Sequence, residues 1–187
     1  MARSVHVRRS APARTGQGAG DRSSASTVGL VGLVGLGTAS TAITFAAAYG
    51  GTVGWWAPIP RVAWAPPVIP VALLRSLLYL AVTVGAVVVW TRRHEAPVRS
   101  ALVLFVAQQV LATVWPVVFF AGFSWVSLAG IWVTVALLLL LDLLLAGTAS
   151  LFWPISRPAA VAVGLDLGLT LFVTGLIVGS AGEHAVL

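Results

Sequence analysis

The sequence predicts an all-α membrane protein, a bundle of five transmembrane helices with its N-terminus cytoplasmic and its C-terminus outside. Three observations predict it. Hydrophobic residues make up 59% of the 187 and charged residues only 9%, whereas a soluble domain carries about a quarter charged residues. The apolar residues gather into five runs, each near the ~20 residues needed to cross the hydrocarbon core. The arginines are sorted onto alternate connecting segments. Because the runs lack the apolar and polar alternation of a barrel strand, each must satisfy its backbone hydrogen bonds within itself, as α-helix.

Residues 1–26 are read as a disordered Arg-rich cytoplasmic tail: Arg3, Arg8, Arg9, Arg14 and Arg22 lie among Ser, Ala, Pro and Gly, with no apolar period and Asp21 as the one acid. A membrane domain then occupies 27–180, with helices at about 27–49, 68–90, 100–120, 125–153 and 159–180, and 181–187 form a short C-terminal tail. In the first run, Gly29, Gly32, Gly35 and Gly37 would let a neighbouring backbone approach closely, or else face lipid. Its 23 residues from Thr27 to Tyr49 exceed the ~7 to 15 of a signal-peptide core, so it is read as a retained helix rather than one cleaved near Ala46-Ala47-Ala48.

Gly50 to Pro67 is a Trp- and Pro-rich loop, and the second run is interrupted only by Arg75 and small polar residues. TRRHEAPVR separates it from the third, which holds Gln108, Gln109 and Trp115. A turn-sized AGFS follows, making the third and fourth helices antiparallel neighbours. The fourth contains Asp142, PISRP ends it, and the fifth contains Asp166.

Orientation follows from the arginines. Five in the tail, Arg92, Arg93 and Arg99 in the second loop and Arg157 in the fourth make nine on one side, against Arg61 alone on the other. The positive-inside rule puts the N-terminus in the cytoplasm. Trp90, Trp125 and Trp153 fall at helix ends, where an interfacial belt belongs. The localisation expected is a multi-pass protein of a membrane, the bacterial cell membrane in first place. The net charge of +6 is spent on this sorting and does not indicate a nucleic-acid partner. The chain has no cysteine, hence no disulfide or thiolate metal site.

WWAPIPRVAWAPP, Trp55 to Pro67, resembles the first-loop pattern W-Y-x-x-L-x-K-P-x-W-x-P-P of the TspO/MBR family, the tryptophan-rich sensory and translocator proteins also known as peripheral-type benzodiazepine receptors. Trp55, Trp64, Pro66 and Pro67 match, with Trp56, Ile59 and Arg61 standing for the tyrosine, leucine and lysine. In the same register the family's W-x-x-L-Y falls on Arg75 to Tyr79, where Leu78 and Tyr79 match. QQVLATVWPVVFF is similar to Q-L-x-L-N-x-x-W-P-x-x-F-F through Gln108, Leu111, Trp115, Pro116, Phe119 and Phe120, and SRPAA to the V-S-x-x-A-A that opens the last helix. The resemblance covers roughly Tyr49 to Ile177.

It implies a divergent member that binds a tetrapyrrole (protoporphyrin or haem) or another apolar small molecule beneath the first loop, acting in its sensing, regulation or transport. The residues it nominates are Trp55, Trp64, Arg75, Tyr79, Gln108, Trp115, Phe119 and Asp166. Depth counting at ~1.5 Å per residue puts Arg75 and Trp115 at one level, under that loop. The chain departs from the family at Arg75 for tryptophan, Ala112 for asparagine, Leu165-Asp166 for P-Y and Leu169 for tryptophan. A porphyrin-degrading catalyst, one alternative, is disfavoured by those replaced tryptophans; a ligand-free structural or signalling partner is the other.

Arg75, Asp142 and Asp166 are ionisable groups inside spans, at ~2.5 to 3.5 kcal/mol each at the bilayer centre, so each should face the bundle interior. Arg75 is expected to pair with an aspartate: Asp166 by family helix order, Asp142 by depth. His6, His94 and His184 lie in separate segments and form no metal cluster. No catalytic set converges, no cofactor is required beyond a bound porphyrin or haem, and the remaining partners expected are membrane lipid and a second copy in a homodimer.

Overall fold

The computed structural model describes residues 17–53, 63–120 and 128–184. They form five helices, α1 (Gln17–Val53), α2 (Val68–Thr91), α3 (Arg99–Phe120), α4 (Leu128–Phe152) and α5 (Arg157–His184), with no strand among the described residues. Each contains a membrane-length apolar stretch of 22 to 26 residues: Ser26–Gly51, Val68–Thr91, Arg99–Phe120, Gly130–Phe152 and Arg157–Gly179.

Prolines sit where a helix tolerates them. Pro70 and Pro158 lie in the first turns of α2 and α5, where backbone N–H groups have no intrahelical acceptor to lose. Among the described residues Pro116 alone stands beyond the first turn of a helix, and it deprives the carbonyl of Ala112, four residues earlier, of its helical partner.

Two ends differ from the sequence reading. α1 begins at Gln17, so residues 17–26, read as tail, are helical: no proline stands between Gln17 and Val53, and hydropathy marks the span rather than the whole helix. α5 starts at Arg157 and runs on to His184, past position 180. Trp125 lies outside the described residues, as does the AGFS connection.

Around the bundle the neighbours run α1, α2, α5, α4, α3 and back to α1, while α2 and α3 scarcely touch. The expected α3–α4 neighbours are therefore present, and α2 lies beside α5. Leu138, Leu141, Phe105, Phe152, Val82 and Val163 are completely buried in the shared core. Val84, Leu77, Leu143, Trp132 and Leu165 point outward, as lipid-facing side chains should. The polarity of a soluble protein is inverted, because Arg75, Asp142, Asp166, Gln108 and Gln109 are inside. The glycines of α1 divide by face: a Cβ at Gly29 or Gly37 would strike Trp90 or Thr83 of α2, whereas Gly32 and Gly35 face open space.

A cavity ending on a buried arginine

At the first-loop end of the bundle, α1, α2, α3 and α5 enclose a cavity of about 100 Å³. α2 contributes Val68, Val71, Ala72 and Arg75, whose spacing of three, four and seven residues puts them on one helix face. α3 contributes Trp115, Pro116, Phe119 and Phe120, whose rings pack in a tilted and edge-on series at 6.3 and 5.0 Å. Thr44 and Ala48 of α1 and Val173, Leu176 and Ile177 of α5 complete the wall, and Pro66 lies at the loop end.

Arg75 is the one charged side chain in that wall, 3% exposed. Its Nε donates to Tyr79 Oη at 2.8 Å and its Nη2 to Thr170 Oγ1 at 2.9 Å, while Nη1 has no hydrogen-bond partner. The guanidinium carbon lies 5.0 Å from the Trp115 ring centroid and 5.4 Å from that of Tyr79. Such cation–π contacts contribute about 2 kcal/mol when desolvated. Both hydrogen-bond partners are anchored in turn. Tyr79 Oη donates to the Ala112 carbonyl at 3.2 Å, the carbonyl that Pro116 leaves unpaired. Thr170 Oγ1 donates to the Asp166 carbonyl at 2.8 Å, which fixes it as acceptor toward Arg75.

No ion pair joins Arg75 to either aspartate. Thr170 occupies the position next to the guanidinium that one of the two aspartates was expected to fill. Asp142 Oδ2 lies 3.3 Å from Thr174 Oγ1, and Oδ1 of each aspartate lacks a partner. The cation is thus held by neutral acceptors and aromatic faces, with one donor nitrogen unused.

Of the nominated residues, the structure brings Arg75, Trp115 and Phe119 into the cavity wall. Tyr79, completely buried, stands behind Arg75. Asp166 lies one turn before Thr170 and joins the hydrogen-bonded chain through its backbone carbonyl. Gln108 is completely buried two turns from Trp115, outside the wall, and its amide, like that of Gln109, makes no hydrogen bond. Trp64 is 58% exposed and packs edge-on against Phe172 at 6.0 Å, away from the cavity. Trp55 lies outside the described residues.

Sequence reading missed Thr44 and Ala48 of α1 and Thr170, Val173 and Ile177 of α5. Asp166, Thr170 and Thr174 recur every four residues in an otherwise apolar run, and Ser40 and Thr44 do the same. That period marks the inward faces of α5 and α1. Among the described residues, no three His, Cys, Asp or Glu side chains group to hold a metal.

The model of the TspO/MBR family matches residues 27–179, most of the chain. No curated protein matches it. The chain belongs to the TspO/MBR family and is a multi-pass membrane protein; the family is known for ligand binding and is generally non-enzymatic.

Proposed function

Taking membership of that family as the premise, we propose that the chain binds an apolar ligand bearing a carboxylate, a tetrapyrrole such as protoporphyrin or haem in first place. The ligand occupies the cavity beneath the first loop, and the protein acts in its sensing, regulation or transport. One observation carries this reading: a buried guanidinium, in direct contact with neither aspartate, ends an apolar cavity with Nη1 unpaired. A propionate-type carboxylate would supply the missing acceptor and a charge in direct contact. Trp115 and Phe119 offer the aromatic faces against which a flat ring stacks. Tyr79 and Thr170 hold the guanidinium in place. The arginine sorting supports an N-terminus in the cytoplasm, so the cavity opens toward the outer face.

The volume favours a second reading. About 100 Å³ is below the roughly 300 to 1,000 Å³ of sites that enclose a drug-sized ligand. A whole tetrapyrrole therefore requires the helices around the cavity to move apart, whereas a slimmer apolar carboxylate such as a fatty acid fits with less displacement. Catalysis gains no support from this arrangement, in which the polar groups fix one another.

The test is a titration of the purified protein with protoporphyrin, its dimethyl ester, haem and decanoate, followed by tryptophan quenching. Arg75→Gln should weaken the free-acid porphyrin on the order of 10- to 100-fold, the worth of a charged hydrogen bond, and leave the ester unchanged. Trp115→Leu should weaken both. Equal affinity of folded wild-type and Arg75→Gln protein for every carboxylate would sink the reading. Saturation by decanoate alone would select the smaller ligand.

A further inference from the structure

At the opposite end of the bundle, the seam between α2 and α5 opens into a groove of about 750 Å³, far larger than the Arg75 cavity. Its floor is made of small and apolar residues. Gly85 and Ala159 bring the two helices together so closely that a Cβ at position 85 would lie 3.0 Å from that of Ala159. Ala81, Val84 and Val88 line the α2 side at helical spacing, and Ala162 lines the α5 side. From Ala81 to Arg92 the groove follows eleven residues of helix, about 16 Å at 1.5 Å per residue. That is the depth of one leaflet, half of a hydrocarbon core ~30 Å thick.

The groove ends in charge. Arg92 lies at the C-cap of α2 and Arg157 at the first residue of α5, and both line it, together with Ser156 and Trp153. One Arg92 amino group donates to the Ile155 carbonyl, and the Arg157 guanidinium sits 5.9 Å from the Trp153 ring centroid. These contacts hold the side chains at the mouth without neutralising them, and no carboxylate lines the groove. Trp153, 54% exposed, marks the level of the membrane interface.

We propose that this groove is a binding site for one anionic phospholipid, with an acyl chain along the Ala81–Val88 face and the headgroup phosphate between Arg92 and Arg157. The trough has the length of a chain within one leaflet, and the two cations stand where a phosphate would. Two guanidiniums in a lining that holds no acid favour a headgroup of net negative charge over a zwitterionic one, whose ammonium they repel. The neighbouring groove between α1, α2 and α3 is a built-in comparison. It too carries two arginines, Arg93 and Arg99, and Arg93 bonds Ser26 Oγ at 2.6 Å from α1 and stacks 4.7 Å from the Trp90 ring centroid.

Native mass spectrometry of the full chain, released from micelles containing phosphatidylglycerol or phosphatidylcholine, tests the proposal. One phosphatidylglycerol per chain should be retained at saturation, and phosphatidylcholine should not. Each arginine near a membrane surface contributes about fivefold, so Arg92→Gln/Arg157→Gln should weaken retention ~25-fold. Ala81→Trp, which fills the trough at an exposed position and leaves the charge intact, should weaken it as well, and covers the case in which the double variant fails to fold. Equal retention of the two lipids would overturn the proposal. So would an equal loss from Arg93→Gln/Arg99→Gln, which would mean diffuse surface charge, or displacement of the lipid by millimolar inorganic phosphate.

Discussion

Replacing Tyr79 with Phe removes one oxygen at the point where α2, α3 and α5 are tied together. The Ala112 carbonyl, already deprived of its helical donor by Pro116, would lose the hydroxyl at 3.2 Å, and Arg75 Nε would lose its acceptor at 2.8 Å. An unsatisfied buried acceptor costs about 1 to 3 kcal/mol, so a stability loss in that range is expected. Reversible unfolding in mixed micelles with increasing dodecyl sulfate, read by helical circular dichroism, measures it. The sharper test adds Pro116→Ala, which returns an N–H to the Ala112 carbonyl and makes the Tyr79 hydroxyl partly redundant. Tyr79→Phe should then cost less in the Pro116→Ala background than in the wild type. Interhelical hydrogen bonds in membranes give coupling energies of about 0.6 kcal/mol on average and up to about 1.7, and the coupling here should fall between them. Additivity within about 0.3 kcal/mol would show that the hydroxyl does not replace the bond that Pro116 removes.

Three further outcomes follow from the packing. Gly37→Ala should destabilise by about 1 to 3 kcal/mol, because its Cβ meets Thr83, whereas Gly35→Ala, facing open space, should stabilise by up to about 1 kcal/mol through helix propensity; a common sign in the same unfolding assay would contradict the α1–α2 contact. Gln108→Leu should change stability by no more than about 1 kcal/mol, since the amide has no partner to lose, and a loss above about 2 kcal/mol would show that it is bonded. For orientation, the chain has no cysteine, so Glu95→Cys and Ala63→Cys can be labelled singly in intact cells. A membrane-impermeant maleimide should reach position 63 and spare position 95, and the reverse pattern would invert the topology.

The spans were legible in the sequence because crossing a bilayer demands length and apolarity, and both are one-dimensional properties. Helix ends were less so: α1 runs ten residues before Thr27, a stretch from Gln17 to Ser26 that contains no proline but nothing apolar enough to count as membrane. Depth could be counted, so Arg75 and Trp115 were placed correctly at one level and now stand 5.0 Å apart, guanidinium carbon to ring centroid. Rotation about the helix axis could not be counted. For that reason Trp64 was expected over the cavity and lies against Phe172, and an aspartate, Asp166 or Asp142, was expected on Arg75, where Thr170 stands instead.

The departures from the family pattern, taken singly, read as losses of pocket chemistry, and the structure relates three of them. Arg75 stands where the pattern has tryptophan, Ala112 where it has asparagine, and Asp166 where it has tyrosine. One hydrogen-bonded chain passes through all three: Thr170 bridges the Asp166 carbonyl to Arg75, and Tyr79 bridges Arg75 to the Ala112 carbonyl. Positions 112 and 166 take part through their backbones, which any side chain supplies. The arginine is the member that a substitution could remove, and it alone carries charge into the cavity wall. Its desolvation is offset by two neutral acceptors and two aromatic faces, without an ion pair. A carboxylate here would have cancelled the charge; Thr170 positions the guanidinium and leaves the charge in force. Thr170→Asp should therefore pair with Arg75 and abolish carboxylate binding while retaining the fold, whereas Thr170→Ser should preserve both. Undiminished affinity for protoporphyrin in folded Thr170→Asp protein would mean that the open charge of Arg75 has no part in recognition.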